Sequence, residues 1–464
     1  MHLVAVGGSD AGISAALRAL ELDRGTEVTV VVADRYPNFS ICGIPYYVSG
    51  EVPDWRSLAH RTIGELEAAG VALRLDTVAH RIDVAGHRVL LGGPGGTEEV
   101  LAYDSLVIGT GAVPVRPQLE GLCGPERLGP DDGVHLLHSM GDTFAVMKTL
   151  EEKAPSRAVI VGAGYIGLEM AEALVTRGLA VTQLEQRTEV LPTVDRALGA
   201  LVRERLSEHG VEVHTSTTVE GVARSSNALE VRARSAAGDR LAFRADIVLV
   251  VVGVRPNSVL AADAGANLDA RGAIVVDRAM RTGLPDVFAA GDCVVTYHRL
   301  LGDTYLPLGT TAHKQGRVAG ENAIGASRSF AGSLGTQVVK VFDLVAARTG
   351  VGDLEAASVG LRPWTVESEG DDHKAYYPGS TRMHMRTTGD LTSGLLLGVQ
   401  LVGHRHAEVA KRIDVAATAI HAGLRVQELN DLDLSYTPPL GSPWDVVQAG
   451  AQAWALAAAD LDHQ

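Results

Sequence analysis

The pattern of apolar positions predicts an N-terminal unit in which a buried strand, a glycine turn and a helix follow one another. Residues 3–7 (LVAVG) are continuously apolar, as in a strand buried on both faces of a parallel sheet. Residues 7–12 (GGSDAG) interrupt this run, and residues 13–22 (ISAALRALEL) place apolar side chains at helical spacing. A second apolar strand follows at residues 28–34 (VTVVVAD). This order is that of a βαβ unit.

The same order of elements recurs in the middle of the chain. An apolar run at residues 158–162 (AVIVG) leads into the glycine turn 162–167 (GAGYIG), and the helical pattern 168–178 and the strand pattern 181–185 follow. Two βαβ units so far apart predict two nucleotide-binding domains.

The rest of the chain adds single strands and then changes character. Three apolar runs end in turns rich in glycine or proline or in a Gly-Asp pair, at residues 105–114, 246–257 and 286–293. From about residue 331 onward the pattern indicates antiparallel strands, followed by a helix over residues 407–424. The sequence therefore predicts an α/β protein with two doubly wound dinucleotide-binding domains and a C-terminal α+β domain.

Composition narrows the class of protein. The 464 residues are enough for two to four domains, and a hydrophobic share of 46% excludes wholesale disorder. The net charge of −15 argues against nucleic acid or an anionic membrane surface as a partner. No signal peptide is expected at the N-terminus, and the longest apolar run, 247–254, is far shorter than a membrane span. Three cysteines suit a reducing compartment, so we expect a cytoplasmic protein.

The second glycine turn has the full pattern of a dinucleotide site. Gly162, Gly164 and Gly167 allow a pyrophosphate to approach the backbone amides at a helix N-terminus. Glu185 stands at the end of the following strand, where a carboxylate binds ribose hydroxyls and repels a 2′-phosphate. This favours NAD(H) over NADP(H), a preference that Arg187 weakens.

The first glycine turn is less complete. Gly7, Gly8 and Gly12 are present, but Ser9 stands in the place of the middle glycine, so the turn alone leaves a nucleotide site and an ordinary strand–helix turn equally open. Asp34 is the candidate acid for the ribose. The pair Gly291-Asp292 after a short apolar strand favours a nucleotide, because such an aspartate can reach a ribityl hydroxyl of a flavin.

Cys42 is the candidate for redox chemistry. If the segment CGIPYY opens a helix, the positive end of the helix dipole stabilises the Cys42 thiolate. A buried structural cysteine is an equally good interpretation of this spacing alone. Cys123, in a loop rich in glycine and proline, is expected to be inert, and Cys293, which follows Asp292, is expected to pack near the flavin. The histidines lack the spacing of metal ligands, so no metal is expected.

The motifs together resemble the FAD-dependent pyridine nucleotide-disulfide oxidoreductases. The resemblance is to the single-cysteine branch, which holds coenzyme A-disulfide reductases, persulfide reductases, NADH oxidases and NADH peroxidases. The segments that carry it follow the family's order along nearly the whole chain: GGSDAG, FSICGIPYY, LVIGTGAVP, VGAGYIGLEMAE, VLVVVGVRPN, VFAAGDC, KQGRVAGENAIG and KRIDVAATAIHAGL with DLDLSYTPPLGSPWD.

The resemblance implies a domain plan. It implies an FAD-binding domain formed by residues 1–115 and 255–330, an NAD(P)-binding domain at 116–254 and a dimerisation domain at 331–464. It further implies a homodimer with FAD as cofactor and NAD(P)H, with NADH preferred, as co-substrate.

The resemblance also implies roles for single residues. Cys42 matches the redox cysteine, and Tyr436 and Tyr377 (or Tyr376) match catalytic tyrosines that reach the active site of the other subunit. The further cofactor-binding positions implied by the motifs are Thr110, Gly111 and Gly253. The implied substrate-binding positions are Ser40, Arg61 and Lys314.

Two departures from the family pattern affect the choice of substrate. Asp10 stands where the oxidases and peroxidases carry a histidine, and His313 replaces a commoner asparagine. Without that imidazole, proton delivery to a sulfenate loses its usual donor. The sequence therefore favours NAD(P)H-dependent reduction of a small disulfide, polysulfide or persulfide, with coenzyme A derivatives foremost. The alternatives are an NAD(P)H oxidase that reduces dioxygen and a flavin-containing redox sensor or electron-transfer partner.

Overall fold

The structure is a computed structural model that describes residues 1–462 of the chain. Its N-terminal part opens with the predicted strand, turn and helix. The elements of this part are β1 (His2–Val6), α1 (Asp10–Leu22), β2 (Glu27–Val31), α2 (Ile44–Ser49), α3 (Ile63–Ala68), β3 (Val71–Arg74), β4 (Val78–Asp83), β5 (Arg88–Gly92), β6 (Glu98–Ala102), β7 (Ser105–Ile108) and β8 (Ala112–Pro114).

The middle of the chain repeats the βαβ order and adds an antiparallel insertion. Its elements are β9 (Val134–His135), α4 (Met140–Glu152), β10 (Arg157–Val161), α5 (Tyr165–Thr176), β11 (Ala180–Leu184), α6 (Arg196–Glu208), β12 (Glu212–His214), β13 (Thr217–Ser225), β14 (Ala228–Ser235), β15 (Arg240–Ala245), β16 (Ile247–Val250) and β17 (Val254–Pro256).

The last part returns to the first sheet and then builds the C-terminal domain. The returning elements are α7 (Val259–Asp263), β18 (Val287–Ala289), β19 (Thr296–His298), β20 (Gly302–Thr304) and α8 (Gly309–Ala323). The C-terminal elements are β21 (Gln337–Val341), β22 (Leu344–Gly350), α9 (Asp353–Ser358), β23 (Pro363–Asp371), β24 (Arg382–Asp390), β25 (Leu396–His404), α10 (Val409–Ala422), α11 (Val426–Asn430) and α12 (Val446–Asp462).

Two parallel sheets confirm the predicted pair of doubly wound domains. The first has the strand order β18-β7-β1-β2-β3, and the second has the order β12-β11-β10-β16-β9. In both sheets the strand that precedes the glycine turn is central, with Leu3 of β1 between Val28 and Ser105, and Val159 of β10 between Thr182 and Val248. Because the carboxyl ends of parallel strands face one edge of the sheet, each glycine turn opens into the crevice where such folds bind ligands.

Small residues bring α1 and α8 into close contact. A Cβ added to Gly316 would lie 2.3 Å from the carbonyl oxygen of Ala11, and one added to Gly320 would lie 2.2 Å from that of Ala15. The two helices are therefore packed backbone to backbone. This packing places the first turn of α8 beside the first turn of α1, although the two are far apart in sequence.

The C-terminal part is the predicted α+β domain. Its antiparallel sheet has the strand order β21-β22-β25-β24-β23, and α10 and α12 pack against it. The indole of Trp454 on α12 lies against Gly389 of β24 and donates a 2.8 Å hydrogen bond to the carbonyl oxygen of Trp364. The buried side chains of Met385 and Leu401 contribute to the core beneath these helices.

The sequence pattern missed two small antiparallel sheets, one formed by β4, β5 and β6 and the other by β13, β14 and β15. The chain passes between the two nucleotide domains at a two-stranded pair, in which Ala112 of β8 faces Pro256 of β17. This crossing lies near the expected domain limits at 115 and 254, and the limits themselves stay a prediction. In the described part of the chain, no helix is long and apolar enough to cross a membrane.

Candidate functional site

The first glycine turn is held in a conformation that only glycine can adopt. Gly7 has a φ of +122°, and a Cβ there would lie 2.0 Å from the carbonyl oxygen of Gly109. A Cβ on Gly12 would lie 2.0 Å from the carbonyl oxygen of Gly7. The turn thus brings bare backbone to the N-terminus of α1, as a bound pyrophosphate requires.

Two polar side chains at this turn, an unpartnered amide and a buried carboxyl, fit the FAD that the resemblance implies. The side-chain nitrogen of Asn38 is buried and has no hydrogen-bond partner among residues 1–462, while the Asn38 amide donates a 2.6 Å hydrogen bond to the carbonyl oxygen of Gly8. Burial raises the pKa of Asp292 to about 6, and the charge of Asp10 adds to the shift. A polar ligand with hydroxyl and phosphate groups would satisfy both residues. Sequence reasoning missed Asn38, which has no signal besides its place before Cys42.

The adjacent Gly291 is also closely surrounded. It has a φ of +87°, and a Cβ there would lie 2.9 Å from the Cβ of Ala11. Its amide donates a 2.9 Å hydrogen bond to the buried side chain of Gln315 on α8. These contacts hold the Gly291-Asp292 pair between α1 and α8.

Asp34 lies beyond the end of β2 rather than on it. The strand ends at Val31, and Val32 packs where a Cβ on Gly8 would lie, 2.6 Å from the valine methyl. The Asp34 carboxylate accepts a 2.8 Å hydrogen bond from the Tyr36 amide. The structure thus shows a local role for Asp34 as the acceptor of a turn, and its contact with a ribose stays a prediction.

Thr110, Gly111 and Gly253 lie where the chain crosses between the two nucleotide domains. The Thr110 hydroxyl donates to the carbonyl oxygen of Asn257, and the Thr110 carbonyl accepts from the Asn257 side chain at 3.3 Å. Gly111 and Gly253 have φ values of +68° and +109°. The crossing is therefore a pair of tight turns joined by hydrogen bonds between Thr110 and Asn257. The contact of these residues with a cofactor stays a prediction.

The second glycine turn is built like the first. Gly162 has a φ of +107°, and a Cβ there would lie 2.6 Å from the carbonyl oxygen of Val251. A Cβ on Gly167 would lie 2.2 Å from the carbonyl oxygen of Gly162, whereas Gly164 has open space around it. The buried Glu185 carboxylate accepts 2.8 Å and 2.7 Å hydrogen bonds from the amides of Ala163 and Arg187. The acid is thus fixed beside the turn at which the sequence places the nicotinamide nucleotide.

Cys42 lies in a short 3-10 turn, Ile41–Gly43, that leads directly into α2. Its thiol is exposed. The surrounding protein nevertheless raises the pKa of Cys42 by desolvation, and the charges of Glu169, Asp10 and Asp292 raise it further. This differs from the thiolate-stabilising helix end expected from the sequence, because α2 is only six residues long and the charges of three carboxylates oppose ionisation of the thiol.

The segment after Cys42 is tied to the second nucleotide domain. The hydroxyl of Tyr46 on α2 lies 3.5 Å from the carboxylate of Glu169 on α5, and Arg177 donates to the carbonyl oxygen of Val48. Burial raises the pKa of Glu169 to about 7, a shift that the bond to Tyr46 reduces. Glu169 is thus a titratable group beside both the second glycine turn and Cys42. Sequence reasoning missed it because it lies inside the helical pattern.

The C-terminal domain also contacts this segment. Lys340 on β21 pairs with Glu172 of α5, lies 5.5 Å from the centre of the Tyr46 ring and is 4.0 Å from the Glu51 carboxylate. Elements α2, α5 and β21, from three parts of the chain, therefore meet at the segment that follows Cys42.

The residues predicted to bind substrate are exposed or half-buried. Arg61 and Lys314 are exposed, and Ser40 is half-buried at the start of the Cys42 turn, where its carbonyl accepts a 3.1 Å hydrogen bond from Gly43. Arg61 lies close enough to Glu65 to lower the pKa of that carboxyl, after the stronger hydrogen bonds of Thr62. The structure leaves their substrate contacts as predictions.

The candidate tyrosines lie on the surface of the C-terminal domain. Tyr376 is 74% exposed, and Tyr377 and Tyr436 are 43% and 44% exposed. A hydrogen bond with Tyr376 contributes to the raised pKa of Tyr436, after desolvation. Tyr377 instead stacks edge-on against His373, with ring centres 5.7 Å apart. Exposure of this kind leaves the tyrosines free to meet a second subunit, and their catalytic role stays a prediction.

The other two cysteines are less exposed than Cys42. The Cys123 sulfur is half-buried and donates to the carbonyl oxygen of Leu119 at 3.2 Å. Cys293 is buried beside the carbonyl oxygen of Ala290, and burial raises its pKa to about 11. The pKa of Cys42 is raised as well, so the property that separates the two thiols is the burial of Cys293.

Comparison with known families identifies the fold. Residues 1–316 match the family described as pyridine nucleotide-disulphide oxidoreductase, and residues 336–446 match the dimerisation domain of that family.

Three relatives extend the match. The chain is 33% identical, over 96% of both chains, to a protein of Pyrococcus furiosus named NAD(P)H sulfur oxidoreductase (CoA-dependent). It is 29% identical to a protein of Methanocaldococcus jannaschii named NADH oxidase, over 97% of this chain and 98% of the other. The solved structure of a NAD-dependent persulfide reductase from A. fulgidus superposes with a TM-score of 0.92 at 37% identity, covering 99% of this chain and 84% of that one. The chain therefore belongs to the pyridine nucleotide-disulphide oxidoreductase family and is an NAD(P)H-dependent flavoprotein oxidoreductase.

Proposed function

We propose that the protein uses NAD(P)H to reduce a small disulfide, polysulfide or persulfide, with coenzyme A derivatives as the preferred substrates. The observation that carries this proposal is the exposure of a single thiol. Among residues 1–462, Cys42 is exposed, whereas Cys123 is half-buried and Cys293 is buried, and the sulfurs of both donate to local carbonyls. A lone accessible thiol suits a mixed disulfide with a substrate sulfur rather than an internal dithiol.

The chemistry then follows from thiol–disulfide exchange. The Cys42 thiolate attacks one sulfur of the substrate, forms a mixed disulfide and releases the other sulfur as a thiolate, or as hydrosulfide from a persulfide. FAD, when bound at the first glycine turn, supplies the two-electron chemistry between NAD(P)H and sulfur. Two electrons and one proton cleave the mixed disulfide, which returns the Cys42 thiolate and frees the substrate as a thiol.

Two exposed cations predicted to bind substrate support a coenzyme A derivative. Arg61 and Lys314 are exposed cations, and cations of this kind bind phosphate groups through charge-assisted hydrogen bonds. Ser40, at the edge of the Cys42 turn, adds a hydroxyl donor. Together they suit a substrate with a thiol at one end and phosphates at the other.

A homodimer completes this proposal. The match of residues 336–446 to a dimerisation domain supports a dimer, as do the exposed Tyr376, Tyr436, Leu440 and Trp444 on that domain. Tyr436 and Tyr377 then act from the other subunit, where a phenol protonates the leaving thiolate. Three unpaired thiols further support a reducing, cytoplasmic setting.

An NAD(P)H oxidase is the second candidate, supported by the resemblance to the Methanocaldococcus jannaschii protein named NADH oxidase. Asp10 stands in the place of the oxidase histidine, which argues against it. The ring of His313 nevertheless lies 3.4 Å from the Asp10 carboxylate, so imidazole is available on this side of Cys42. The choice between the two candidates therefore depends on a direct measurement.

Turnover measurements on the purified flavoprotein make that choice. Under anaerobic conditions, we expect NADH to be consumed rapidly with coenzyme A persulfide, coenzyme A disulfide or polysulfide. In air without a sulfur substrate, we expect a rate at least about tenfold lower. A tenfold difference in rate corresponds to about 1.4 kcal/mol of activation free energy. The reverse order of rates establishes the oxidase. Negligible turnover with both acceptors establishes a sensor or an electron-transfer partner.

Glu185 sets the preference for NADH in this proposal. Its fixed carboxylate repels the 2′-phosphate of NADPH, so we expect the wild type to have the higher kcat/KM with NADH. In Glu185→Gln, the ratio of NADPH to NADH kcat/KM is expected to rise about tenfold, because one repulsive charge is removed. Steady-state kinetics with both nucleotides measure the ratio. Glu212→Gln, an exposed acid on the neighbouring strand, is the matched control, and an unchanged ratio in Glu185→Gln contradicts the assignment.

A further inference from the structure

Asp10, His60 and His313 form a cluster that the sequence spacing could not reveal. Asp10 begins α1, His313 lies in the first turns of α8, and His60 lies in the segment before α3. The close packing of α1 on α8 brings the first two together. The amide of His60 donates a 2.9 Å hydrogen bond to the carbonyl oxygen of the buried Asn38, which fixes the third residue near them.

The spacing of the ligand atoms is that of a metal site. One atom of each side chain, an imidazole nitrogen or a carboxylate oxygen, lies within 4.8 Å of the other two. In a tetrahedral zinc site with bonds of about 2.0–2.1 Å, neighbouring ligand atoms are roughly 3.3 Å apart. The Asp10 oxygen and the Nε2 of His313 are already 3.4 Å apart. His60 is exposed, with its ring centre 6.0 Å from that of His313, and it has to move closer to complete the set.

A neighbouring hydroxyl orients the His313 ring. The Nδ1 of His313 is 2.9 Å from the hydroxyl oxygen of Ser14, one turn along α1 from Asp10. This bond directs Nε2 towards the Asp10 carboxylate. Histidine ligands are commonly held in this way, with the second ring nitrogen bonded to an outer group.

We propose that Asp10, His60 and His313 bind a borderline-soft divalent ion of the zinc type. Two imidazoles and one carboxylate are a ligand set that suits Zn²⁺, and three protein ligands leave one coordination position for water or a thiolate. This departs from the expectation of no metal, which rested on sequence spacing alone.

The site adjoins the segment that carries the redox thiol, because the His60 amide donates to the Asn38 carbonyl oxygen and the Ser40 amide donates to the Leu58 carbonyl oxygen at 2.8 Å. A zinc ion with an open position binds thiolates, so occupation captures sulfur at the entrance to Cys42 and inhibits turnover reversibly. This inhibition rests on the proposed function, whereas the binding of the metal does not.

Binding is tested on the FAD-loaded protein after treatment with a chelator. Calorimetric titration with Zn²⁺ alone is expected to show one ion per protomer. His313→Ala and His60→Ala are expected to weaken the affinity by more than about 100-fold, because loss of an outer-shell partner alone costs 10–100-fold, and Ser14→Ala by about tenfold. His421→Ala, an exposed histidine at the end of α10, is the matched control with unchanged affinity.

Two further measurements test whether the metal binds at these three residues. Co²⁺ in place of Zn²⁺ is expected to give ligand-field bands at wavelengths beyond the flavin absorption, and these bands vanish in His313→Ala. His60 is exposed, so His60→Ala keeps its fold and flavin content, and a folded variant that still binds one Zn²⁺ with wild-type affinity overturns the proposal. Absence of stoichiometric binding by the wild type also overturns it. A protein that binds Zn²⁺ but reduces no sulfur substrate leaves the metal site standing and refutes the proposed function.

Discussion

Cys42→Ser is expected to lose reduction of disulfides and persulfides by at least about 1000-fold, because the hydroxyl of serine neither attacks a disulfide nor forms a mixed disulfide. The flavin is expected to remain bound and to be reduced by NADH at close to the wild-type rate, since both glycine turns are untouched. Anaerobic stopped-flow spectroscopy follows flavin reduction, and steady-state assays with coenzyme A disulfide follow the sulfur step.

Cys123→Ser is the matched control for this prediction. Its sulfur is half-buried and bonded to the carbonyl oxygen of Leu119, where a hydroxyl makes the same contact, so the sulfur step is expected to stay within about twofold of wild type. Sulfur reduction that persists in Cys42→Ser would place the reaction at the flavin itself. A mass increase equal to one coenzyme A on Cys42, removed by NADH, supports the mixed disulfide directly.

The order of strands and helices could be predicted from the sequence, because each single strand and each glycine turn has a local pattern. The runs at residues 3–7 and 158–162 became β1 and β10, and the helix predicted over residues 407–424 became α10. Each of these elements is fixed by apolar side chains close in sequence. The sheet that contains β6 was missed because β6 is exposed at four of its five residues and carries a weak apolar pattern, whereas β14 of the other sheet does alternate buried and part-buried positions.

The candidate site could be predicted only in part, because it depends on contacts between residues that are far apart in sequence. The carboxylates that raise the pKa of Cys42 come from α1, from α5 and from the turn after β18, so only the packed fold brings them to the sulfur. The expected stabilisation of the thiolate considered the helix after Cys42 alone. For Asp34, the predicted ribose acid, the structure shows that β2 ends at Val31 and that the carboxylate accepts from the Tyr36 amide, while its contact with a ribose stays a prediction. Sequence spacing does not show where a strand stops.

Substitution of the first glycine in each of the two turns is the second change for which we expect a large effect. Gly7→Ala places a Cβ 2.0 Å from the Gly109 carbonyl oxygen at a φ of +122°, and neither backbone can yield because both belong to turns next to central strands. We expect the flavin content of the purified protein to fall at least about tenfold, since a non-glycine residue in such a region costs about 1–3 kcal/mol before any clash. The ratio of flavin absorbance to protein absorbance measures the loss.

Gly162→Ala is the informative partner of this variant. Its Cβ would lie 2.6 Å from the Val251 carbonyl oxygen at a φ of +107°, which distorts the second turn and leaves the first intact. The protein is therefore expected to keep its flavin but to lose kcat/KM for NADH by at least about 100-fold, or about 2.7 kcal/mol of binding and transition-state stabilisation. Gly64→Ala, on the open surface of α3, controls for the added methyl and is expected to change neither property. Equal flavin contents in Gly7→Ala and Gly162→Ala would mean that the two turns do not divide the cofactors between them, because only separate sites let one methyl group remove one nucleotide at a time.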